Sequence, residues 1–132
     1  MNTLSGHIAS IKSSGSLSIV MVKVGQEYLK TVVLEKQYGE PLLKEGMPIN
    51  FIFKETEVVI GTGNTDNISL QNKLRGKVRK MEKGKLLCKL TISTSIGDIV
   101  SIITSAAIEQ LKIDIGSEIT AMIKTNEIML SA

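Results

Sequence analysis

The sequence predicts an all-β protein built from two small five-stranded barrels in tandem, with one short helix in each. Three observations lead to this prediction: an internal repeat, short β-branched segments joined by tight turns, and a polar glycine-rich segment in the middle. Asn2 and Gly6 recur as Asn72 and Gly76, an offset of 70 residues (72 − 2 = 70). This period exceeds the length of a solenoid repeat, so each copy is expected to fold as a small domain. The same offset aligns Leu4 with Leu74, Ile8 with Val78, Leu17 with Leu87, Gly46 with Gly116, Ile49 with Ile119, Lys54 with Lys124 and Glu57 with Glu127.

Three strands open the first copy. Residues 4–12 alternate imperfectly between apolar and polar side chains, and Gly6 lies where a bulge or a close backbone approach is expected. Residues 17–24 are β-branched and too few for a typical helix, which favours a second strand. A turn at Gly25 leads into a third strand at residues 28–34. Three strands joined by short turns form a meander.

A short helix is expected after the third strand of each copy. In the second copy, residues 104–111 place Ile108 and Leu111 three residues apart behind Thr104, a good N-cap residue. In the first copy, residues 35–44 predict an irregular helix or turn that is interrupted by Gly39 and Pro41.

Two further strands complete each copy, at residues 49–54 and 57–60 and at residues 119–124 and 127–130. Five strands with one short helix before the fourth are typical of a small OB-like barrel. The stretch between the copies is polar and rich in glycine, which is typical of a linker. We therefore predict barrels at 1–61 and 68–132, joined by a linker at 62–67.

Composition limits the functional classes. The 132 residues carry a formal charge of +3, 42% of them are hydrophobic and 3% are aromatic. No apolar run approaches a membrane span and no signal peptide pattern is present, which predicts a cytoplasmic protein without membrane contact. Copies of this size are only marginally stable alone, so each is expected to need its twin or another chain. Cys88, the single cysteine, is expected to be a packed thiol because its neighbours are leucines.

The start of the second copy resembles a known family, the molybdate-binding Mop domains, which are also called TOBE domains. Their motif is Ser-Ala-Arg-Asn, a variable residue, Leu or Phe, a variable residue, and then Gly-x-Val or Gly-x-Ile. Ser69, Asn72, Leu74, Gly76 and Val78 match it. Two copies in one chain resemble the di-domain molbindins of molybdate storage and the C-terminal half of the molybdate-responsive transcription regulator. The first copy matches at Asn2, Leu4, Gly6, Ile8, Gly46 and Lys54.

The resemblance implies that a tetrahedral dianion, molybdate or tungstate, binds between barrels without an organic cofactor. Such an ion needs several fixed hydrogen-bond donors in a partly dry site. The resemblance also implies association into a homotrimer or, as the alternative, a dimer. The implied oxyanion-binding residues are Ser69, Gln71 and Asn72 from one edge and Thr104, Lys124 and Thr125 from another, with Lys54 as a weaker candidate.

Several residues depart from the family motif. Gln71 replaces the arginine and Leu70 the alanine, and in the first copy Met1 stands at the arginine position. Lys54 is followed by Glu55, whose carboxylate would repel a dianion by ~1 kcal/mol at 4 Å in bulk water and by more where water is excluded. The loop of the second copy is therefore the better candidate.

Structural interpretations compete with these roles. Lys54 and Lys124 are also explained as exposed ends of equivalent strands, Thr104 as a helix N-cap, and Ser69 and Asn72 as turn residues. Two other functional classes therefore stay open beside oxyanion binding. One is a degenerate barrel pair that mediates oligomerisation or regulates a partner without binding an oxyanion. The other is nucleic-acid binding, which the scarcity of aromatic residues disfavours. We expect no enzymatic activity, because the sequence shows no catalytic constellation.

Overall fold

The computed structural model describes residues 1–34 and 43–132. Within these ranges the first copy forms five strands: β1 (Asn2–Ser14), β2 (Leu17–Val24), β3 (Glu27–Leu34), β4 (Pro48–Phe53) and β5 (Val59–Gly61), with a 3-10 turn at Glu55–Glu57. The second copy forms β6 (Asn72–Lys83), β7 (Leu87–Thr94), β8 (Gly97–Thr104), the helix α1 (Ser105–Leu111), β9 (Glu118–Ile123) and β10 (Ile128–Ser131). Each predicted strand is present with small shifts at its ends.

The helix predicted in the second copy is confirmed. The Oγ1 of Thr104 accepts a hydrogen bond from the backbone N–H of Ala107 at 3.1 Å, which satisfies one of the free donors of the first turn. The helix ends where Lys112 adopts a left-handed conformation with φ of 55°. The corresponding helix predicted at residues 35–44 falls almost entirely on residues 35–42, which lie outside the described residues.

The strands form two antiparallel sheets of five. The first has the order β10-β4-β1-β2-β3 and the second the order β5-β9-β6-β7-β8. The predicted all-β class with OB-like five-stranded units is confirmed. Each sheet, however, takes its fifth strand from the other copy, since β10 pairs with β4 and β5 pairs with β9. The sequence repeats and the sheets therefore do not coincide.

The exchanged strands join both copies into one core. Leu130 on β10 and Ile60 on β5 are buried within a single cluster of apolar side chains. Two buried hydroxyls reach the segments that cross over: Thr31 donates to the carbonyl of Ile128 at 3.4 Å, and Ser101 donates to the carbonyl of Val58 at 2.9 Å. Hydrogen bonding of buried hydroxyls avoids the cost of leaving them unpaired. Both copies thus contribute to one folding unit.

Cys88 is fully buried, and burial raises the pKa of its thiol, as expected for a packed side chain. No helix in the described part of the chain is long and apolar enough to cross a membrane.

The motif glycines lie where backbones approach closely. A Cβ added to Gly6 would lie 2.3 Å from the carbonyl oxygen of Lys23, and one added to Gly76 would lie 2.5 Å from that of Ser93. Both glycines precede a register shift at the same place in the repeat, between Ile8 and Ser10 in β1 and between Val78 and Lys80 in β6. The expected close approach is confirmed.

We expect Gly76→Ala to lower the free energy of unfolding by about 2 kcal/mol, because the neighbouring strand must shift to admit a methyl group. Urea denaturation of the variant and the wild type measures this difference. Lys77→Ala is the control, since this adjacent side chain is 67% exposed and its substitution should change stability by no more than ~0.5 kcal/mol. Equal urea midpoints for Gly76→Ala and the wild type would show that the neighbouring strand admits a methyl group without loss of stability.

Candidate functional site

Two equivalent junctions form where an edge strand of one sheet meets the other copy. Junction I comprises Asn72, residues 30–32 of β3 and the loop at residues 124–125. Junction II comprises Asn2, residues 100–101 of β8 and the loop at residues 54–55. Asn2 and Asn72 occupy equivalent positions of the 70-residue repeat (72 − 2 = 70), and so do the two loops. A difference between the junctions is therefore a difference between equivalent positions of the two copies.

The repeated asparagines hold the junctions together. In junction I the Nδ2 of Asn72 donates to the carbonyl of Lys30 at 2.8 Å, while the N–H of Lys30 donates to its Oδ1 at 2.7 Å. In junction II, Asn2 makes the same pair of bonds with Val100, both at 2.8 Å. Each amide thereby satisfies a donor and an acceptor on an edge strand, and each asparagine is buried. Asn72 is therefore a structural bridge between the sheets.

The loop of the second copy lies in junction I beside Asn72. Asn72 is paired with Ile123 across the β6–β9 ladder, so Lys124 follows directly. The N–H of Val32 donates to the carbonyl of Thr125 at 3.1 Å, which fixes the loop against β3. The structure thus brings Asn72, Lys124 and Thr125 together, with the side chain of Lys124 exposed and that of Thr125 half-buried.

The remaining candidate residues lie at different distances from this junction. Ser69 and Gln71 are exposed in the segment that leads into β6, and Gln71 directly precedes Asn72. Thr104 ends β8, the strand that contributes to junction II, and its hydroxyl caps α1. No described contact brings Thr104 to Asn72 or Lys124 within one chain.

Junction II differs from junction I in its loop. Lys54 is exposed, and Glu55 accepts a hydrogen bond at its Oε1 from the amino nitrogen of Met1 at 2.9 Å. This bond to the ammonium group lowers the pKa of the Glu55 carboxyl, against the opposing effect of burial. Lys54 also lines a cleft of about 220 Å³ together with Glu57 and Glu127. Junction II therefore has a carboxylate where junction I has the hydroxyl of Thr125.

Lys30 was missed by the sequence reasoning. It lies on β3, outside every motif, and is placed in junction I only by its two backbone bonds to Asn72. Its counterpart in junction II is the uncharged Val100. The backbone of Lys30 is thus part of junction I, while its side chain is half-buried on β3. The described part of the chain contains no group of three or more His, Cys, Asp or Glu side chains that could hold a metal ion.

Comparison with known proteins identifies relatives of each copy and of the whole chain. Residues 68–130 match the TOBE domain. Molybdenum-pterin-binding protein 3 of Clostridium pasteurianum is 37% identical over 67 residues, which cover 50% of this chain and 98% of that protein. The molybdenum-pterin-binding protein MopB of Rhodobacter capsulatus is 26% identical over 125 residues, covering 92% of this chain and 46% of MopB.

A solved structure matches almost the entire chain. The crystal structure of the cytoplasmic molybdate-binding protein ModG with molybdate bound superimposes with a TM-score of 0.93, covering 99% of this chain and 95% of that chain. Sequence identity is 24%, so this likeness establishes the two-barrel fold alone.

Proposed function

Since the chain belongs to the TOBE-domain family of molybdenum-pterin-binding proteins, we propose that it binds molybdate, or its analogue tungstate, in junction I. The observation that carries this proposal is the juxtaposition of Asn72 with the loop that contains Lys124 and Thr125. Binding of this kind serves intracellular molybdenum storage or sensing. The match to ModG, which is described as cytoplasmic, supports a cytoplasmic location.

The chemistry of junction I suits a tetrahedral dianion. Lys124 supplies an ammonium group, Thr125 a hydroxyl, and the segment 69–71 supplies backbone N–H groups and the amide of Gln71. Charge-assisted hydrogen bonds from such donors are stronger than neutral ones. Lys124 is the cation at a family position in this junction, because Gln71 stands in place of the family arginine. Thr104 enters such a site only if another chain presents it.

Association of chains is part of the proposal, as a homotrimer or, alternatively, a dimer. The outer face of β2 and β3 exposes Leu17, Ile19 and Leu34, with 47%, 46% and 41% of their surfaces accessible. Leu17 pairs with Leu34 and Ile19 with Val32 across the strands, so these side chains form one apolar patch. Covering such a patch with a second copy removes apolar surface from water. Sedimentation velocity at micromolar concentration tests this, and a monomer would contradict it.

Isothermal titration of the phosphate-free protein with molybdate tests the proposed function, with sulfate as the control anion. We expect tight molybdate binding and little response to sulfate. No heat and no thermal stabilisation with molybdate or tungstate would contradict the proposal and favour a barrel pair that acts only in association.

Lys124→Ala is expected to weaken molybdate binding by roughly 10- to 100-fold, because a hydrogen bond to a charged group contributes about 1.5–3 kcal/mol. Titration calorimetry measures the change. Lys54→Ala is the matched control, because Lys54 occupies the same position of the repeat in junction II. It should leave the affinity within about twofold of the wild type. Equal losses in both variants would contradict the assignment of the site to junction I.

A further inference from the structure

The two junctions share their asparagine, edge strand and lysine but differ at the next loop position. Glu55 in junction II aligns with Thr125 in junction I, and Met1 aligns with Gln71. A carboxylate in junction II therefore replaces the hydroxyl that follows the lysine in the loop of junction I.

An anionic oxygen already lies in junction II. The Oε1 of Glu55 is 2.9 Å from the amino nitrogen of Met1, the residue that directly precedes Asn2. The donor segment before the asparagine and the loop after the fourth strand are thus joined in this junction by a carboxylate of the chain itself. In junction I the equivalent segment and loop carry Gln71 and Thr125, neither of which is anionic.

We propose that Glu55 is a built-in anion that fills junction II, so that each chain takes up a single oxyanion, in junction I. This inference rests on the proposed function. Of the two equivalent junctions, junction I is open to an oxyanion and Glu55 closes junction II.

The charges of junction II explain why a second oxyanion is excluded from it. A dianion entering there would meet the Glu55 carboxylate beside a single lysine, Lys54, and like charges at contact distance repel. The side chain of Glu55 is 27% exposed, so solvent screens this repulsion only in part. The Glu55 carboxyl is ionised near neutral pH as an ordinary glutamate is, and its hydrogen bond with the amino nitrogen of Met1 lowers its pKa further. In junction I, Lys124 is followed by Thr125, whose hydroxyl carries no charge.

Counting bound molybdate per chain by equilibrium dialysis and elemental analysis tests the inference. We expect about one molybdate per wild-type chain and twice that number in Glu55→Thr, which copies the loop of junction I into junction II. Glu57→Thr is the matched control, because it removes a carboxylate from the same 3-10 turn. The control should keep the wild-type count. Thermal unfolding of each variant confirms that it is folded.

A reciprocal pair of variants provides the second measurement. Thr125→Glu should abolish uptake by closing junction I, and combining it with Glu55→Thr should restore about one molybdate per chain, now in junction II. An unchanged count in Glu55→Thr, or a wild-type chain that already takes up two, overturns the inference. Full uptake by Thr125→Glu instead contradicts the assignment to junction I. No uptake by any of these proteins removes the proposed function and the inference with it.

Discussion

Cutting the backbone within the 62–67 linker is expected to leave the two halves folded and bound to each other. The reason is the strand exchange: β5 of the first copy pairs with β9, and β10 of the second copy pairs with β4. A protease site inserted between Gly63 and Asn64 suits this experiment because both residues are exposed. The buried Thr65 is better left intact, since its carbonyl accepts a hydrogen bond from Lys73 at 2.6 Å.

The size of the effect follows from the burial of the exchanged strands. Ile128 and Leu130 on β10 and Ile60 on β5 are buried against the other copy, and burying one such side chain contributes about 1.5–3 kcal/mol. The three side chains together contribute roughly 4.5–9 kcal/mol, which is comparable with the ~8 kcal/mol of a micromolar dissociation constant. The strand pairs β4–β10 and β5–β9 add to this stabilisation. Size-exclusion chromatography with light scattering should show an unchanged mass after cleavage, and separation only in denaturant. Independent barrels on a flexible tether would instead separate into half-size species.

The local elements of this fold could be predicted from the sequence because they depend on neighbouring residues. The short β-branched run at residues 17–24 predicted β2, whose buried and exposed residues alternate along much of the strand. The cap at Thr104 and the i, i+3 spacing of Ile108 and Leu111 predicted α1. The close approach at Gly6 was predicted because a glycine inside a strand leaves room for another backbone, and the structure shows the same approach at Gly76.

The strand exchange could not be predicted from the same patterns. The two copies have similar fourth strands, so the fifth strand of either copy can pair with β4 or β9 with equivalent alternation. The choice depends on where the segment after each fourth strand leads. In the structure it leads across to the other sheet, as the contacts of Ser101 with Val58 and of Thr31 with Ile128 show.

The sequence predicted only part of the candidate site, for a related reason. The repeat of Asn2 as Asn72 marked an important position, but it could not distinguish a ligand-binding amide from one that bridges two sheets. Lys30 carries no motif at all, and its place in junction I follows only from a contact between residues 42 positions apart. Long-range pairing of this kind leaves no local signal.

Asn72→Leu is expected to lower the free energy of unfolding by about 2–6 kcal/mol. Leucine has a similar volume but leaves both the N–H and the carbonyl of Lys30 without partners, and each unsatisfied buried group costs about 1–3 kcal/mol. Asn2→Leu breaks the equivalent pair at Val100 and should have a similar effect. Urea denaturation measures both changes.

Asn50→Ala is a suitable control, because the bond that the Oδ1 of Asn50 accepts from Ser5 at 2.9 Å is exposed. It should change the stability by less than ~1 kcal/mol. The comparison also separates two roles of Asn72. If its amide bridges the sheets, Asn72→Leu and Asn2→Leu destabilise the protein to similar extents without any ligand. If Asn72 acts only as an oxyanion donor, its replacement leaves the unfolding midpoint unchanged and weakens molybdate binding alone, because an unliganded site has no hydrogen bond to lose.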